Sequence, residues 1–174
     1  MMSNWLDHLS AATARHKHPE LLTYIPRPPA TPEQLLVLEQ EFGPLPQDLR
    51  SFLLTANGVT DQYDWPAMWG AQEIVERNRA LRADAGVRGA PFPYDHFLFF
   101  ADNGLGDHFG YCLRPLGSEV LGALERWSRS SFARDMEMSP GDIVLLWHED
   151  LTLRKFADDL GDFVDGWFSG ERGS

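Results

Sequence analysis

Acidic and histidine side chains occur in this sequence where apolar segments end, and they are the side chains best suited to acid–base chemistry or metal binding. These side chains are Asp102, Asp107, His108, His148, Glu149 and Asp150. If the apolar segments are strands whose ends meet, the carboxylates and imidazoles come together. A carboxylate beside an imidazole is a common arrangement for general acid–base catalysis, so this cluster is the first candidate for a site.

The spacing of these residues matches no catalytic or metal-binding motif. The turn after Asp102 lacks the spaced acids and the distal glutamate of a calcium loop, and His148-Glu149 lacks the second histidine of a zinc helix motif. No glycine-rich phosphate loop with a lysine is present in the sequence. Cys112 lies in an apolar segment without an adjacent base, which is typical of a buried, inert thiol. The sequence therefore predicts no catalytic, cofactor-binding or metal-binding residue.

Three roles remain open for the acidic residues at the strand ends. The first is structural, because such carboxylates usually cap turns or face solvent. The second is an acidic edge that binds a partner protein. The third is a hydrolase site that uses His148 and Asp107, and this role requires metal-dependent turnover that His148→Ala abolishes.

Acids and aromatic residues are mixed in a second segment, residues 60–70 (TDQYDWPAMWG). The proline after Trp65 excludes a helix through that point, so a loop or a short strand is expected. In one interpretation, Trp65 and Trp69 cover the core. In the other, Trp65 is an aromatic anchor for a partner and lies beside the charges of Asp61 and Asp64.

Composition and charge narrow the class of partner. The 174 residues suit a single domain with its own core, spanning residues 1–174. The formal net charge of −11 argues against a nucleic-acid partner, which needs basic patches, and favours a basic protein partner. The single cysteine excludes an internal disulfide. No apolar run is long enough to cross a membrane and the N-terminus lacks the pattern of a signal peptide, so a cytoplasmic location is expected.

Two short helices joined by a rigid corner form the clearest structural pattern. The first helix is expected to begin at Pro32 and to end at Gly43. The second is expected to begin at Pro46 and to leave the helix at Asn57-Gly58. Apolar residues recur at helical spacing in both, so each helix is expected to bury one face.

Glu39 is the unusual residue of this corner, because it is an acid on the apolar face of the first helix. A buried carboxylate without donors is costly. Glu39 is therefore expected to accept hydrogen bonds from backbone N–H groups near residues 46–49, or from another buried donor.

Strands are predicted in the second half of the chain. Three segments, residues 97–101, 108–113 and 143–147, have the apolar character of buried strands. Residues 102–107 have the composition of a turn, so the first two strands are expected to form a hairpin.

Helices are predicted to flank these strands. Apolar residues from Leu153 to Phe168 recur at helical spacing and predict a long closing helix. Residues 1–30 predict an N-terminal helix followed by a proline-rich connector. Residues 117–138 are predicted to be an insertion, in which residues 120–127 have a helical pattern and residues 128–138 are ambiguous.

The helical corner carries a combination of residues that resembles the opening signature of the SUKH superfamily, which includes a fungal cell-wall-assembly regulator and many bacterial immunity proteins. These residues are Glu39, Phe42-Gly43, Leu45-Pro46, Asp48-Leu49, Phe52-Leu53 and Asn57-Gly58. The resemblance extends over residues 32–170. It implies an α+β fold, in which a small, mainly antiparallel sheet is packed with surrounding helices.

By this resemblance, the protein is expected to be non-catalytic and to bind other proteins. The most concrete expectation is an immunity protein that binds a cognate toxin domain, a basic protein, and blocks its active site. The alternative is a regulatory scaffold similar to the fungal cell-wall-assembly regulator. Charge and aromatic content predict the contact residues, which are Asp61, Asp64, Trp65, Asp102 and Asp107.

Overall fold

A computed structural model describes residues 4–88, 92–118, 122, 138–149 and 152–172. Asp150 and most of the predicted insertion at residues 117–138 lie outside these described residues. The described helices are α1 (Trp5–Ala14), α2 (Pro32–Phe42), α3 (Gln47–Thr55), α4 (Ala71–Arg88) and α5 (Leu160–Phe168), with one 3-10 turn at Tyr94–His96. None of them is both long and apolar enough to cross a lipid bilayer.

The described strands form two antiparallel sheets. The first contains β1 (Tyr24–Pro26), β2 (Val59–Asp61) and β3 (Pro66–Met68) in that order, and the second contains β4 (Phe97–Asp102), β5 (His108–Cys112), β6 (Ile143–Trp147) and β7 (Thr152–Ala157) in that order. The backbone N–H of Trp69, just after β3, donates to the carbonyl of Phe100 in β4 at 2.8 Å, so the two sheets are joined. The α+β class expected from the sequence is confirmed.

The second sheet and α5 form the centre of the core. Every residue of β4 is buried, and β5 and β6 are buried along almost their whole length. Phe163 of α5 packs edge-on against Phe100 and Phe109, with ring centroids 5.1 and 5.2 Å apart. The three predicted strands are therefore confirmed, with the second ending at Cys112, one residue earlier than expected.

The predicted closing helix begins later than expected. Residues 152–157 form β7, where Leu153 pairs with Leu146 of β6, and the helix starts only at Leu160. The prediction was wrong here because the spacing of the apolar residues fits a helix as well as an edge strand. Asp159 marks the true start, since its side chain accepts a hydrogen bond from the N–H of Asp162 at 2.9 Å.

The helical corner forms as the sequence predicts. The hydroxyl of Thr31 accepts from the N–H of Gln34 at 3.3 Å, and the Gln34 side chain accepts from the N–H of Thr31 at 2.9 Å, which is a reciprocal cap. Gly43 ends α2 with φ of 86°. Leu35 and Leu38 of α2 are buried, as are Leu49, Phe52 and Leu53 of α3.

The prediction for Glu39 was wrong about its partner. Its carboxylate pairs with the guanidinium of Arg50 in α3, with Oε1 and Nε 3.0 Å apart, and not with the backbone of residues 46–49. Both side chains are substantially exposed. A pair of this kind contributes at most about 1 kcal/mol to stability.

Asn57 and Gly58 join the corner to α4. The Asn57 side chain accepts from the N–H of Ala71, the first residue of α4, at 2.7 Å. Gly58 has φ of 91°, and a Cβ atom there would lie 2.7 Å from the carbonyl oxygen of Met68. Both the backbone conformation and this close approach require glycine. The signature residues at this point therefore hold α3, β3 and α4 together.

Asn78 of α4 pairs with the outer edge of β4. Its Oδ1 accepts from the N–H of Phe99 at 3.0 Å, and its Nδ2 donates to the Phe99 carbonyl at 2.7 Å and to the Ile74 carbonyl at 2.8 Å. Asn78 is buried. The amide therefore takes the place of a neighbouring strand at a bulge between Phe99 and Ala101.

Asn78→Leu should lower the free energy of unfolding by about 3 kcal/mol, because it leaves the buried N–H and carbonyl of Phe99 without partners. Urea denaturation followed by tryptophan fluorescence measures this change. The matched control is Gln72→Leu at an exposed position of the same helix. A loss no larger than that of the control would contradict the role of Asn78.

Candidate functional site

Three loops meet beyond the ends of β4, β5 and β6, and we call them the three-loop platform: residues 61–65, 103–107 and 148–149. A Cβ atom at Gly104 would lie 3.2 Å from the ring of Trp65, so the first two loops touch. A Cβ atom at Gly106 would lie 3.0 Å from the ring of His148, so the second and third loops also touch. The platform is therefore one continuous surface built from three separate parts of the sequence.

The first loop is held by Asp61. Its Oδ1 accepts from the N–H of Tyr63 at 2.8 Å and from the N–H of Trp65 at 2.9 Å. The N–H of Asp61 donates back to the carbonyl of Trp65 at 2.9 Å. This closed ring turns Tyr63 and Asp64 outward, and Tyr63 is 81% exposed. Asp64 has φ of 63°, a conformation that aspartate tolerates better than most residues.

The second loop, the hairpin turn, is held by side chains of its own. The N–H of Gly104 donates to Asp102 at 2.8 Å, and the N–H of Leu105 donates to Asn103 at 2.9 Å. The amide of Asn103 also donates to Asp107 at 2.8 Å. Leu105 at the tip remains 75% exposed. The turn is thus rigid and presents an apolar side chain to solvent.

Asp102 points inward, away from the surface of the platform. Its buried carboxylate lies 2.7 Å from a guanidinium nitrogen of Arg77 and 3.0 Å from the indole nitrogen of Trp69. The guanidinium of Arg77 also stacks on the Trp69 ring, 4.7 Å from its centroid. Asp102 is therefore neutralised inside the fold, and it can shape the turn without contacting a partner directly.

Asp107 is buried as well and connects the hairpin turn to the third loop. Its Oδ1 lies 2.8 Å from Nδ1 of His148 and accepts from the N–H of His148 at 3.1 Å. Burial by itself raises the pKa of Asp107, but the hydrogen bonds from His148 and Asn103 outweigh it and leave the pKa below its ordinary value.

His108 lies beside this pair, in β5. Its ring packs edge-on against Trp69 and Phe99, with centroids 5.8 Å apart in both cases. Burial lowers the pKa of His108, against the opposing effect of the Asp102 charge. His108 is therefore part of the packing beneath the platform.

The Asp107–His148 pair has the geometry of an orienting carboxylate and an imidazole base. Nucleophilic catalysis also needs a hydroxyl or thiol within hydrogen-bond distance of the base. Within the residues that the structure describes, His148 hydrogen-bonds only to Asp107. In the same part of the chain, no three histidine, cysteine or acidic side chains are grouped as metal ligands would be. The two hydrogen bonds between Asp107 and His148 connect the hairpin turn to the third loop.

The predicted contact residues all lie near the platform, but only some of their side chains face solvent. Asp61, Asp64 and Trp65 lie on the platform with the hairpin turn, as a shared surface requires. Asp64 is exposed, whereas Trp65 is half-buried against Gly104. Asp102 and Asp107 reach the same region but point inward. Their direct contact with a partner stays a prediction that their burial does not favour.

Sequence reasoning missed the two exposed large apolar side chains of the platform, Tyr63 and Leu105. A signal for Leu105 was present, because an apolar residue between two glycines at the tip of a turn has nothing to pack against. Tyr63 was not selected because Trp65, two residues later, has the larger apolar surface and was chosen as the anchor.

The charge of the platform is of one sign. Its three loops contain no lysine or arginine. Asp64 and Glu149 are exposed, and Asp61 is half-buried. Arg77 pairs with Asp102 beneath the hairpin turn and keeps 41% of its side chain exposed. The exposed acids of the loops themselves, Asp64 and Glu149, make their surface acidic at neutral pH.

Asp107→Asn should lower the melting temperature by about 3 °C or more at about pH 6, because the charged brace between the loops is lost. The pKa of Asp107 is depressed in the folded protein, so its stabilisation is present above the ordinary value of 3.8 and is lost as the pH falls through the folded pKa. The difference between wild type and variant should therefore shrink at about pH 3.

Melting curves at the two pH values measure this difference. Asp158→Asn removes an exposed acid that pairs with Lys155 and is the control for a surface pair. A difference between wild type and Asp107→Asn that stays constant with pH would show that the carboxylate charge does not brace the loops.

The comparison with known proteins covers both the corner and the platform. A model of the SMI1 / KNR4 family (SUKH-1) matches residues 29–166. No curated protein matches the sequence. The matched residues contain the helical corner, β2 and β3 of the first sheet, the whole second sheet and all three loops of the platform. Because the match spans most of the chain and agrees with the signature residues of the corner, this protein belongs to the SMI1/KNR4 family, SUKH-1.

Proposed function

We propose that this protein is a non-catalytic, cytoplasmic immunity protein that binds a cognate toxin domain through the three-loop platform and neutralises it. Membership of the SUKH-1 family supports a binding protein of the immunity or SMI1/KNR4 type. The observation that carries the proposal is the platform itself, a rigid surface with exposed aromatic and apolar side chains and with no lysine or arginine. Such a surface suits a basic protein partner.

The charge of the protein explains how binding would be fast and specific. A net charge of −11 attracts a basic protein over a distance of about one Debye length, and the acidic face of the platform orients the approach. If the toxin is a nuclease, its active site is basic because it binds phosphates. The acidic platform then competes with the nucleic acid for the same groups and blocks the site without any chemistry.

A regulatory scaffold is the second candidate, and the SMI1/KNR4 description of the matching family favours it. The same platform would then bind a cellular protein that is not a toxin. The two candidates differ in an outcome that can be measured, since only the immunity protein restores growth to cells that produce a toxin.

Co-expression tests the proposal directly. A toxin domain encoded beside the gene of this protein is produced in bacteria with and without the full chain. We expect growth to be restored by the wild-type protein and the two proteins to purify as one complex. Growth arrest that persists for every neighbouring toxin domain, together with stable binding to a cellular protein, would instead support the scaffold.

Asp64→Asn combined with Glu149→Gln should slow association with the toxin domain several-fold at about 0.05 M salt, because the variant loses the exposed charges that steer the encounter. The difference should vanish at about 1 M salt, where the Debye length is about 3 Å. Asp61 is left intact in this test, because its carboxylate holds the first loop. Stopped-flow fluorescence measures the rates.

The control is Glu33→Gln combined with Glu171→Gln, which removes two exposed charges from residues outside the platform. It should change association little. Equal slowing by both double variants would mean that only net charge matters, and no slowing by either would refute electrostatic steering.

A further inference from the structure

We propose that Tyr63 and Leu105 are the anchors of the platform, and that the partner receives them in an apolar pocket bordered by lysine or arginine. This inference rests on the proposed function. It replaces Trp65, the anchor predicted from the sequence, with two residues of the adjoining loops. Trp65 is half-buried against Gly104, so its role is to hold the loops together.

The exposure of Tyr63 and Leu105 carries the first step. Among the large apolar side chains that the structure describes, these two are the most exposed, at 81% and 75%. Their exposure has no role in folding, since neither side chain is part of the hydrophobic core. A tyrosine and a leucine removed from water in a complex supply the apolar area that central interface residues usually contribute.

Their positions carry the second step. Tyr63 is two residues from Trp65, and Leu105 follows Gly104, so the contact between Trp65 and Gly104 sets the two anchors on adjoining loops. Other exposed apolar residues, such as Leu36 and Val37, lie on a separate element, α2. Tyr63 and Leu105 can therefore enter one partner together.

Preorganisation carries the third step. The N–H of Tyr63 is fixed by Asp61, and the N–H of Leu105 is fixed by Asn103. Binding then orders few backbone torsions, and less of the interaction free energy is lost as entropy. Two anchors on rigid loops are consequently worth more than the same side chains on mobile ones.

The charge around the anchors identifies the border of the partner pocket. Asp64 is the exposed neighbour of Tyr63, and Glu149 is the exposed acid of the third loop. Burying the anchors brings both carboxylates to the rim of the interface. Basic side chains around the pocket satisfy them, whereas acidic ones would be repelled.

Photo-cross-linking in the cell that naturally makes the protein tests the anchors and captures the partner in the same experiment. The probe is p-benzoylphenylalanine, placed in the full chain at Tyr63 or Leu105, with Leu36 and Val37 of α2 as control positions. We expect one basic protein to be cross-linked from both anchor positions and from neither control. Cross-links to nucleic acid, to a second copy of this chain, or equally from all four positions would overturn the inference.

Binding kinetics with the purified cross-linked protein complete the test. Tyr63→Ala and Leu105→Ala should each raise the dissociation rate about ten-fold or more and leave association nearly unchanged. Leu36→Ala and Val37→Ala should have little effect on either rate. Melting curves should show that all four variants fold, because each residue is exposed.

The outcomes separate this inference from the proposed function. If Tyr63→Ala and Leu105→Ala bind and neutralise a toxin domain as well as wild type, the anchors are wrong and the immunity proposal stands. If no basic protein is captured from the anchors and no toxin is neutralised in co-expression, both fail. A basic cellular protein captured from both anchors, without toxin neutralisation, would retain the anchors and refute the immunity role.

Discussion

The buried carboxylate of Asp102 is hydrogen-bonded to three parts of the chain: the indole of Trp69, the guanidinium of Arg77 and the backbone N–H of Gly104. Removing a carboxylate from water costs several kcal/mol, which only such a complete set of donors offsets. The contacts fix the junction of the two sheets, the position of α4 and the start of the hairpin turn. Because Trp65 packs on that turn, the relative position of the first two loops of the platform depends on this one buried charge.

The acidic residues of the chain divide into two groups that the net charge does not distinguish. Asp102 and Asp107 are buried and bind donors of the fold, so they shape the loops. Asp64 and Glu149 are exposed and give the platform its sign. The buried acids hold the loops in place, and this keeps the exposed carboxylates in fixed positions from which they can orient a partner.

Local sequence signals predicted most of the fold. Capping residues, prolines and glycines defined the helical corner, and continuous apolar runs defined β4, β5 and β6, because these patterns depend on neighbours in the chain. The signals failed at β7, where residues 152–157 have a spacing that fits helix or strand, and the pairing with β6 decides. They also failed for Glu39, whose partner Arg50 is chosen by the packing of two helices.

The candidate site was predicted only in part, because contacts between residues far apart in the sequence decide which side chains face outward. The sequence indicated which loops carry acids and aromatics, but not which side chains point outward. That direction is set by the contacts of Asp61 within its loop, of Asp107 with His148, and of Trp65 with Gly104. Tyr63 and Leu105 could be identified as candidates only from the structure, which shows that Asp102 and Asp107 are buried and that Trp65 is half-buried.

Hydrogen exchange of the full chain, alone and in complex with a toxin domain that it neutralises, tests most directly whether the three-loop platform is the binding surface. The account predicts slower exchange in residues 61–65, 103–107 and 148–149, with the exposed face of α2 unchanged. Slower exchange confined to α2 or to other surfaces, with the platform unaffected, would contradict it.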